Sequence, residues 1–490
     1  MPADALIYLE TSDLGAAIKS VASSESFRAA AAGVPDLSAL DGIPVAVAVT
    51  GFEKREQPVT DENAILTFQP HFVAVAETGA WNWQARSFAE NKLGEFINEM
   101  YGGEVELEVT PKDDGRFYAW KARDGRAAFA LVDGSVIYFG NDASAIDKCL
   151  AVKRGESDSI VKTGRLPKDG RPLAFGFVST DGVTQLASLI GVSFAMKAGE
   201  ESEVRSFIAG VLPVLLRNSV KDITWTAERL DDGRLSDKYS ISLEPQAAKI
   251  LAETMTPAGG NADGPARIFP QDVLSTTRYD LRDPQIAWRS VVLVARDRTD
   301  EVSGKLLASL SGLLFEPYAI EDAELFLSAV VGVIQTAAFD ADGEAVVVAA
   351  RIKDREKLKR SIAKEIDLAK PPEGVGDAEV WRSGDGEISA AFAGDLVILG
   401  DAESVAKCLA VMANGSAAAL EPTTAPIATT GRQTDPAARL VTVLGDRKGP
   451  NTPLTENYFT ETRFTAAGIE RTTRSDLGLI GELIAQFARE

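Results

Sequence analysis

The sequence contains few of the residues that most often carry chemistry. Two cysteines and one histidine occur in 490 residues. Two cysteines cannot form a disulfide scaffold or a four-cysteine zinc site, and a single histidine excludes histidine-rich metal centres. The chain also lacks the common phosphate-binding glycine loops and the G-x-S-x-G turn of serine hydrolases. We therefore predict no metal ion, no cofactor and no identifiable catalytic residue, and an enzyme is the less favoured interpretation.

Long apolar runs are also missing. No stretch reaches the roughly 20 consecutive apolar residues that a membrane-spanning helix needs. The nearest candidate, residues 323–339, contains Glu324 and Gln335 and is better explained as a buried helix that leads into a strand. The first residues, MPADALIYLE, include no basic and apolar export leader. Location in the bacterial periplasm or cell envelope therefore requires that an upstream signal was removed, and a cytoplasmic location is the alternative.

Positive charge is scarce relative to negative charge. The chain has 51 lysines and arginines against 72 aspartates and glutamates, which gives a net charge of −21. Such a surface repels a phosphate backbone and anionic lipid, so nucleic acid is not expected as a partner. The hydrophobic content of 45% is that of a globular protein, and 490 residues are too many for one ordinary core. We expect two or more globular domains with an acidic surface.

A short segment around each cysteine occurs twice. The five letters Lys-Cys-Leu-Ala-Val stand within residues 140–152 and again within residues 400–411. Upstream of each copy, Trp120 or Trp381 precedes an Asp-Gly turn and two apolar strand-like runs. Asp-Gly between apolar runs is a strong hairpin signal. Because the same order of elements extends far beyond five letters, chance identity does not explain it.

The repeated order predicts two homologous halves of α+β class, each mostly an antiparallel sheet with helices packed on one face. The first repeat is assigned to residues 1–256 and the second to residues 266–490. A Gly- and Pro-containing linker, residues 257–265, lies between them. In this alignment the strand at residues 173–179 corresponds to residues 438–444.

The two halves differ by an extra apolar helical region at residues 182–220 of the first half. The second half has the polar segment 421–439 at the corresponding place. The extra helices could cover the other half and form a core between domains, or they could line a groove for an apolar ligand or a partner segment.

The cysteine segments themselves are best explained by packing. Asp142 and Asp401 stand where a carboxylate can cap a helix N-terminus. Cys149 and Cys408 fall on the apolar face of each helix, where a free cysteine acts as a small hydrophobe. A disulfide between them would require the two equivalent helices to meet, and a reactive thiol would require an electropositive, partly exposed setting.

Three other residues are candidates for function. Trp81 and Trp83 are expected in a loop between a strand and a helix, where they could contact a ligand or a partner or could fasten the loop to the helix. His71, at the start of an apolar strand, is best explained as a structural residue, because no nucleophile motif accompanies it. Acidic clusters at residues 112–115 and 339–344 are expected at hairpin tips.

The stretches PADALIYLETSDLG and FGNDASAIDKCLAVKRGE, together with the second copy, resemble a tandem-duplicated bacterial envelope family known only as a domain of unknown function. The resemblance implies export and assigns no activity. The expected function is a non-catalytic binding or scaffold protein of the bacterial cell envelope, with an unknown protein or an apolar ligand as its partner. The alternative is a hydrolase with a carboxylate or serine site in the cleft between the halves, and a purely structural subunit is a third possibility.

Overall fold

The structure is a computed structural model of the chain. It describes residues 1–22, 41–58, 64–167, 172–197, 203–259, 267–341, 343–418, 421–432 and 457–482. For residues 54–58, 64–68, 190–197 and 203–209 the description covers the backbone.

The described residues form twenty strands in one sheet. The strands are β1 (Ile7–Thr11), β2 (Val45–Pro58), β3 (Ala64–Glu77), β4 (Glu106–Lys112), β5 (Gly115–Lys121), β6 (Ala127–Asp133), β7 (Val136–Gly140), β8 (Ala174–Val178), β9 (Val220–Arg229), β10 (Leu235–Leu243), β11 (Ser275–Tyr279), β12 (Val330–Ala338), β13 (Val346–Ile352), β14 (Glu373–Val375), β15 (Ala378–Arg382), β16 (Ile388–Ala393), β17 (Leu396–Asp401), β18 (Ile427–Gly431), β19 (Tyr458–Thr465) and β20 (Gly468–Ser475).

Twelve α-helices accompany the sheet in the described part of the chain. They are α1 (Leu14–Ala22), α2 (Asn82–Phe88), α3 (Gly94–Met100), α4 (Ala143–Lys153), α5 (Thr180–Lys197), α6 (Glu203–Ser219), α7 (Pro245–Thr254), α8 (Pro284–Asp297), α9 (Glu301–Leu310), α10 (Ala323–Ala329), α11 (Arg355–Ser361) and α12 (Ala402–Asn414). A π-helical turn, Ala89–Leu93, joins α2 to α3, and a 3₁₀-helix, Ser311–Tyr318, follows α9.

Every strand pairing in the sheet is antiparallel, and the order is the same on both sides of its centre. Outward from β10 the strands run β9, β8, β1, β2, β3, β7, β6, β5 and β4. Outward from β20 they run β19, β18, β11, β12, β13, β17, β16, β15 and β14. Strands β10 and β20 pair with each other and join the two series of strands at the centre of the sheet. We call β1–β10 with their helices the first half and β11–β20 with theirs the second half.

Helices cover both faces of the outer strands, so the prediction of helices on one face is wrong there. In β6, Leu131 packs with the α4 residue Cys149, whereas its neighbour Val132 packs with α2 and α3. In β17, Ile398 packs against α12 and Leu399 packs against α11. The physical reason is that strands such as β17 are apolar at consecutive positions, and both faces of such a strand must be covered.

The cysteine helices α4 and α12 lie on the same face of the sheet, where the 3₁₀-helix Ile160–Thr163 also packs. Cys149 and Cys408 are both buried and unbonded to each other. Asp142 accepts a hydrogen bond from the Ser144 N–H, and Asp401 accepts one from the Ser404 N–H. The packing explanation of the repeated segment is therefore confirmed: each copy is the helix that covers this face of its half.

The two halves exchange their closing helical segments. Helix α7, which ends the first half, packs on β19 and β20 of the second half, and its Leu251 lies in one core with Val291 of α8. In return, Leu477 and Ile480 from the end of the second half lie in one core with Val21 of α1. The hydrophobic cores at the centre of the sheet are therefore built from both halves.

Other predicted elements can be compared with the structure directly. Helix α10 runs straight into β12, as expected for residues 323–339. The acidic cluster at 112–115 forms the tip between β4 and β5, and Asp340 accepts bonds from three backbone N–H groups in the turn between β12 and β13. The alignment of 173–179 with 438–444 is wrong, because β18 occupies the place that β8 has in the first half. Residues 438–444 lie outside the described residues.

Candidate functional site

An open groove lies in the second half, beside α8. It encloses about 780 Å³ and is open to solvent. Helix α8 forms one wall, the end of α9 and the following 3₁₀-helix form the other, and the start of α10 and the end of α11 close it. Its lining includes Trp288, Leu293, Gly312, Glu324 and Arg360.

Helix α8, one wall of this groove, is fixed in place by contacts at its N-terminus and on both of its sides. Asp283 caps its N-terminus by accepting a bond from the Ile286 N–H at 2.9 Å, and Pro284 occupies the first turn, where no N–H partner is needed. On one side of the helix, Val291 and Val294 pack toward α7. On the groove side, the Trp288 ring meets the Phe315 ring edge-on, with ring centroids 5.0 Å apart. The wall is therefore a fixed surface.

Most charges that line the groove are paired with one another. Arg289 donates through Nε to Glu324 at 2.7 Å, and Gln285 donates to the same carboxylate at 2.9 Å. These hydrogen bonds hold the pKa of Glu324 below its ordinary range, chiefly through Arg289, and the same pair raises the pKa of Arg289. Lys364 is bonded to Glu321, which raises the pKa of Lys364. These two pairs form the charged rim of the groove.

Arg360 differs from the other cations of the groove. It lies in the last turn of α11 and is exposed, and it makes no hydrogen bond or ion pair among the described residues. Apolar side chains stand exposed on α8 and on the neighbouring helical segment, with 50% of Ile286, 38% of Leu293, 76% of Val302, 40% of Leu306 and 62% of Leu314 accessible. The groove therefore combines an apolar wall, a paired rim and one available cation.

The structure places Trp81 and Trp83 at the N-terminus of α2. Trp81 is the last residue of the loop between β3 and α2, as expected, whereas Trp83 lies in the first turn of the helix and not in the loop. The N–H of Trp81 donates to the side chain of Gln84 at 3.0 Å, which orients the helix start. Their side chains are 75% and 68% exposed, so they are available for contact. A ligand or partner contact at these two residues stays a prediction.

His71 lies within β3, between two carboxylates, and not at the start of the strand. Its Nε2 is 3.3 Å from Glu53 and its Nδ1 is 3.5 Å from Asp142. Ser144 donates its hydroxyl to Asp142 at 2.6 Å. A serine nucleophile must be bonded to its general base. Because Asp142 stands between Ser144 and His71, these three residues do not form a nucleophilic relay.

The buried cysteines have the properties of structural thiols. Burial raises the pKa of the Cys149 thiol to about 11 and that of the Cys408 thiol to about 12. Reactivity of a thiol follows its thiolate fraction, which is small at neutral pH when the pKa is raised. Lys148, next in sequence to Cys149, bonds to Asp4 instead.

Between α4 and α12, the sheet presents a polar surface that spans both halves. We call the side chains of β9, β10, β20, β19, β18 and β11 on this side the central face. Glu470 lies 3.7 Å from Lys238, Glu421 lies 3.4 Å from Arg474, and Glu461 lies 3.3 Å from Arg463. Arg278 donates to the Thr423 carbonyl at 2.9 Å. Each of these carboxylates is therefore bonded to a cation.

Within the described residues, no group of three or more histidine, cysteine, aspartate or glutamate side chains is arranged to hold a metal ion. None of the helices in the described part of the chain is long and apolar enough to cross a membrane. Comparison of the chain with models of protein families, with curated proteins and with solved structures finds no match.

The groove was not identified from the sequence. Its lining comes from four segments that are up to about 80 positions apart, and none of them carries a motif. The available signal was the run Pro284–Asp297, in which Ile286, Arg289 and Leu293 share one helix face while Val291 and Val294 share another. A helix with two apolar faces is expected to pack on both sides, and among the described residues the face with Ile286 and Leu293 remains exposed.

Proposed function

We propose that the chain is a non-catalytic binding or scaffold protein of the bacterial cell envelope and that its binding site is the groove beside α8. The observation that carries this proposal is Arg360, which has no bonded partner among the described residues, at the end of an open groove with exposed Leu293 on its wall. A surface with an apolar wall and one available charge is suited to holding a partner with complementary chemistry.

The openness of the groove favours a protein segment as the partner. Sites for small apolar ligands usually enclose most of the ligand surface. Here Ile286 of α8 and Val302 and Leu306 of α9 are further exposed apolar residues on the two helices that form the groove walls. An amphipathic helix that docks with apolar residues at positions i, i+3, i+4 and i+7 would cover such a surface.

The charges that line the groove indicate which charge the partner carries. The chain carries a net charge of −21, yet four cations and three anions line the groove. Glu321 and Glu324 are bonded to Lys364 and Arg289, Asp322 caps α10 by accepting from the Leu325 N–H, and Arg296 lies 3.3 Å from Asp297. Arg360 is therefore the lining charge that makes no such bond among the described residues. We therefore propose an acidic amphipathic helix as the ligand class. Complementary charge would set the orientation of this helix and its rate of association.

The two halves are proposed to be homologous copies that arose by duplication, with the boundaries 1–256, 257–265 and 266–490. The support is that the strand order outward from β10 is the same as the order outward from β20, together with the repeated cysteine helices. Membership of the bacterial envelope family, and export that follows from it, are part of the same proposal and rest on the resemblance of the sequence.

The alternative is a hydrolase with its site between the halves, and such a site would lie on the central face. Glu421, Glu461 and Glu470 are each bonded to a lysine or an arginine there, and Asp222 and Glu228 of β9 lie on the same side of the sheet. A carboxylate bonded to a cation is a weak general base. Binding therefore remains the favoured proposal.

Calorimetric titration of the full chain tests the proposal. The probe is a helical peptide of about 14 residues with leucine at i, i+3, i+4 and i+7 and glutamate on both flanks. The expected result is saturable binding in about the micromolar range, with much weaker binding of the same peptide carrying lysine for glutamate. No heat from either peptide, or equal affinity for both, contradicts the proposal. A lipid adduct in a native mass spectrum would instead favour an apolar ligand.

A further inference from the structure

The two ends of the sheet are edge strands of different character. At one end, β14 has three residues and follows Pro371 and Pro372 directly. Short strands and prolines are common protections against pairing with another chain. At the other end, β4 has seven residues, pairs only with β5 among the described strands, and is exposed along nearly its whole length. The end formed by β4 is therefore the less protected of the two.

The backbone groups of β4 that face away from the sheet can be assigned. The N–H of Ala122 donates to the Arg126 carbonyl, so the even-numbered residues of β5 bond to β6 and the odd-numbered ones bond to β4. In the register of β4 with β5, Leu107, Val109 and Pro111 stand opposite even-numbered residues. Their backbone groups therefore point to the free edge. Proline has no N–H, so Pro111 leaves no donor unpaired there.

The side chains of β4 alternate between an apolar and a charged face. Leu107 and Val109 are 42% and 44% exposed and share a face with Pro111. Glu106, Glu108 and Lys112 lie on the other face. Edge strands that are protected against pairing usually carry charged residues or prolines. Two exposed apolar residues beside free N–H groups are instead suited to pairing with another strand.

We propose that β4 pairs antiparallel with β4 of a second copy of this chain, centred on Val109. In this register Val109 faces the partner's Val109, and Leu107 faces the partner's Pro111, which brings the apolar residues together on one face. Glu106 then faces the partner's Lys112 at both ends of the ladder, and Lys112, which is also bonded to Asp147 of its own chain, carries the charge opposite to that of the glutamate. Four backbone hydrogen bonds form: two between the central valines, and one at each end from the Leu107 N–H to the partner's Pro111 carbonyl.

Other registers of the same pair fit less well. Moving the centre to Glu108 places that glutamate opposite its own copy, and like charges directly opposite are destabilising. Moving the centre to Thr110 places Leu107 and Glu106 beyond the end of the partner strand, so the overlap is shorter. The register centred on Val109 uses all seven residues and closes with twofold symmetry, which yields a dimer and not an open chain. This proposal does not depend on what the groove binds.

Cysteine trapping tests the register. The variant Val109→Cys places two thiols at the twofold axis, with Cα atoms about 5.5 Å apart as in a hydrogen-bonded antiparallel pair, a separation that a disulfide spans. Because Cys149 and Cys408 are buried, they contribute little background. Mild oxidation should give a dimer of twice 52.1 kDa on a non-reducing gel. In the control Thr110→Cys each thiol faces the partner's Glu108, so the two thiols are diagonal neighbours about 7–8 Å apart and the chain should remain a monomer on the gel. Equal cross-linking of both variants, or of neither, overturns the proposal.

Exchanging the charges of Glu106 and Lys112 tests the same pairing without a disulfide. Sedimentation velocity on the full chain at about 100 µM, a concentration at which weak interfaces are populated, should show a dimer. Glu106→Lys and Lys112→Glu should each lower the dimer fraction severalfold, and the double variant should restore it. A monomer at that concentration, or a double variant no better than either single variant, overturns the proposal. Species larger than a dimer would also overturn it, because they indicate a head-to-tail contact such as β4 with β14.

Discussion

The carboxylate of Asp237, on β10 of the first half, accepts a hydrogen bond from the backbone N–H of Leu479 at 2.9 Å. The two residues are 242 positions apart. The other oxygen of Asp237 accepts a bond from the Trp225 indole at 2.7 Å, and Asp237 is only 2% exposed. A buried side chain of one half thus holds the first turn of the closing helical segment of the other, where a carboxylate suits the helix N-terminus.

Replacing this carboxylate should destabilise the whole molecule. Asp237→Asn keeps the size of the side chain but leaves one of the two donors without its charged acceptor. Because hydrogen bonds to charged groups contribute about 1.5–3 kcal/mol, we expect the free energy of unfolding to fall by about that amount. The measurement is urea unfolding followed by circular dichroism. The control is Asp222→Asn on β9, a partly exposed residue, for which a change within about 0.5 kcal/mol is expected. Equal effects of the two substitutions contradict the role assigned to Asp237.

The shared cores predict that neither half folds alone. Residues 1–259 would lack Leu477 and Ile480 beside α1, and residues 267–490 would lack Leu251 beside α8. Exposed core of this kind leads to aggregation or to loss of fixed packing. We expect each fragment to be insoluble or without a cooperative melt, and the two expressed together to purify as one complex. A soluble first fragment with its own cooperative transition contradicts this account.

Much of the fold could be predicted from the sequence because it depends on local patterns. The positions of Cys149 and Cys408, the caps at Asp142 and Asp401 and the hairpins are set within a few residues of chain. The pairing of β10 with β20 and the exchange of closing helices depend on contacts between residues more than 200 positions apart, which no local pattern encodes. Strand β18 was missed because Thr- and Gly-containing segments do not have the apolar alternation of a typical strand. The groove was missed because its lining is brought together only by the fold.

The two thiols should be inert in the native protein. Burial raises their pKa values to about 11 for Cys149 and about 12 for Cys408, whereas an unfolded thiol ionises near 8.5. Both thiols should therefore resist an aromatic disulfide reagent at pH 8 and react together once the chain is unfolded in guanidinium. Rapid reaction of one thiol in the native state contradicts the packing role.

The raised pKa values of the two thiols also affect the stability of the protein at alkaline pH. A raised pKa in the folded state means that the unfolded chain releases the proton first as pH rises. The contribution of the two thiols is complete below about pH 8.5 and is lost as the pH rises toward 11 and 12. Unfolding measured at pH 8 and pH 10 should show a smaller pH-dependent loss when Cys149 is replaced by alanine.

The exposed tryptophans should contribute little to folding. Trp81→Ala and Trp83→Ala should each change the free energy of unfolding by less than about 0.5 kcal/mol, because both rings lie in solvent. Trp120→Ala is the contrast: Trp120 is 2% exposed and stacks on Tyr118, so a loss of about 3–5 kcal/mol is expected. A loss above about 1.5 kcal/mol for Trp81 or Trp83 would show that they fasten the start of α2 and are not held ready for a partner.

The central claim, that the groove beside α8 recognises an acidic helix through Arg360, is tested most directly by exchanging charge on both partners. Arg360→Glu should lower the affinity for the glutamate peptide about five- to tenfold and raise the affinity for the lysine peptide by a similar factor. Lys357→Glu lies on the same helix, does not line the groove, and should leave both affinities unchanged. The account predicts this reversal of preference. Affinities that follow neither the peptide charge nor the substitution at Arg360 would contradict it.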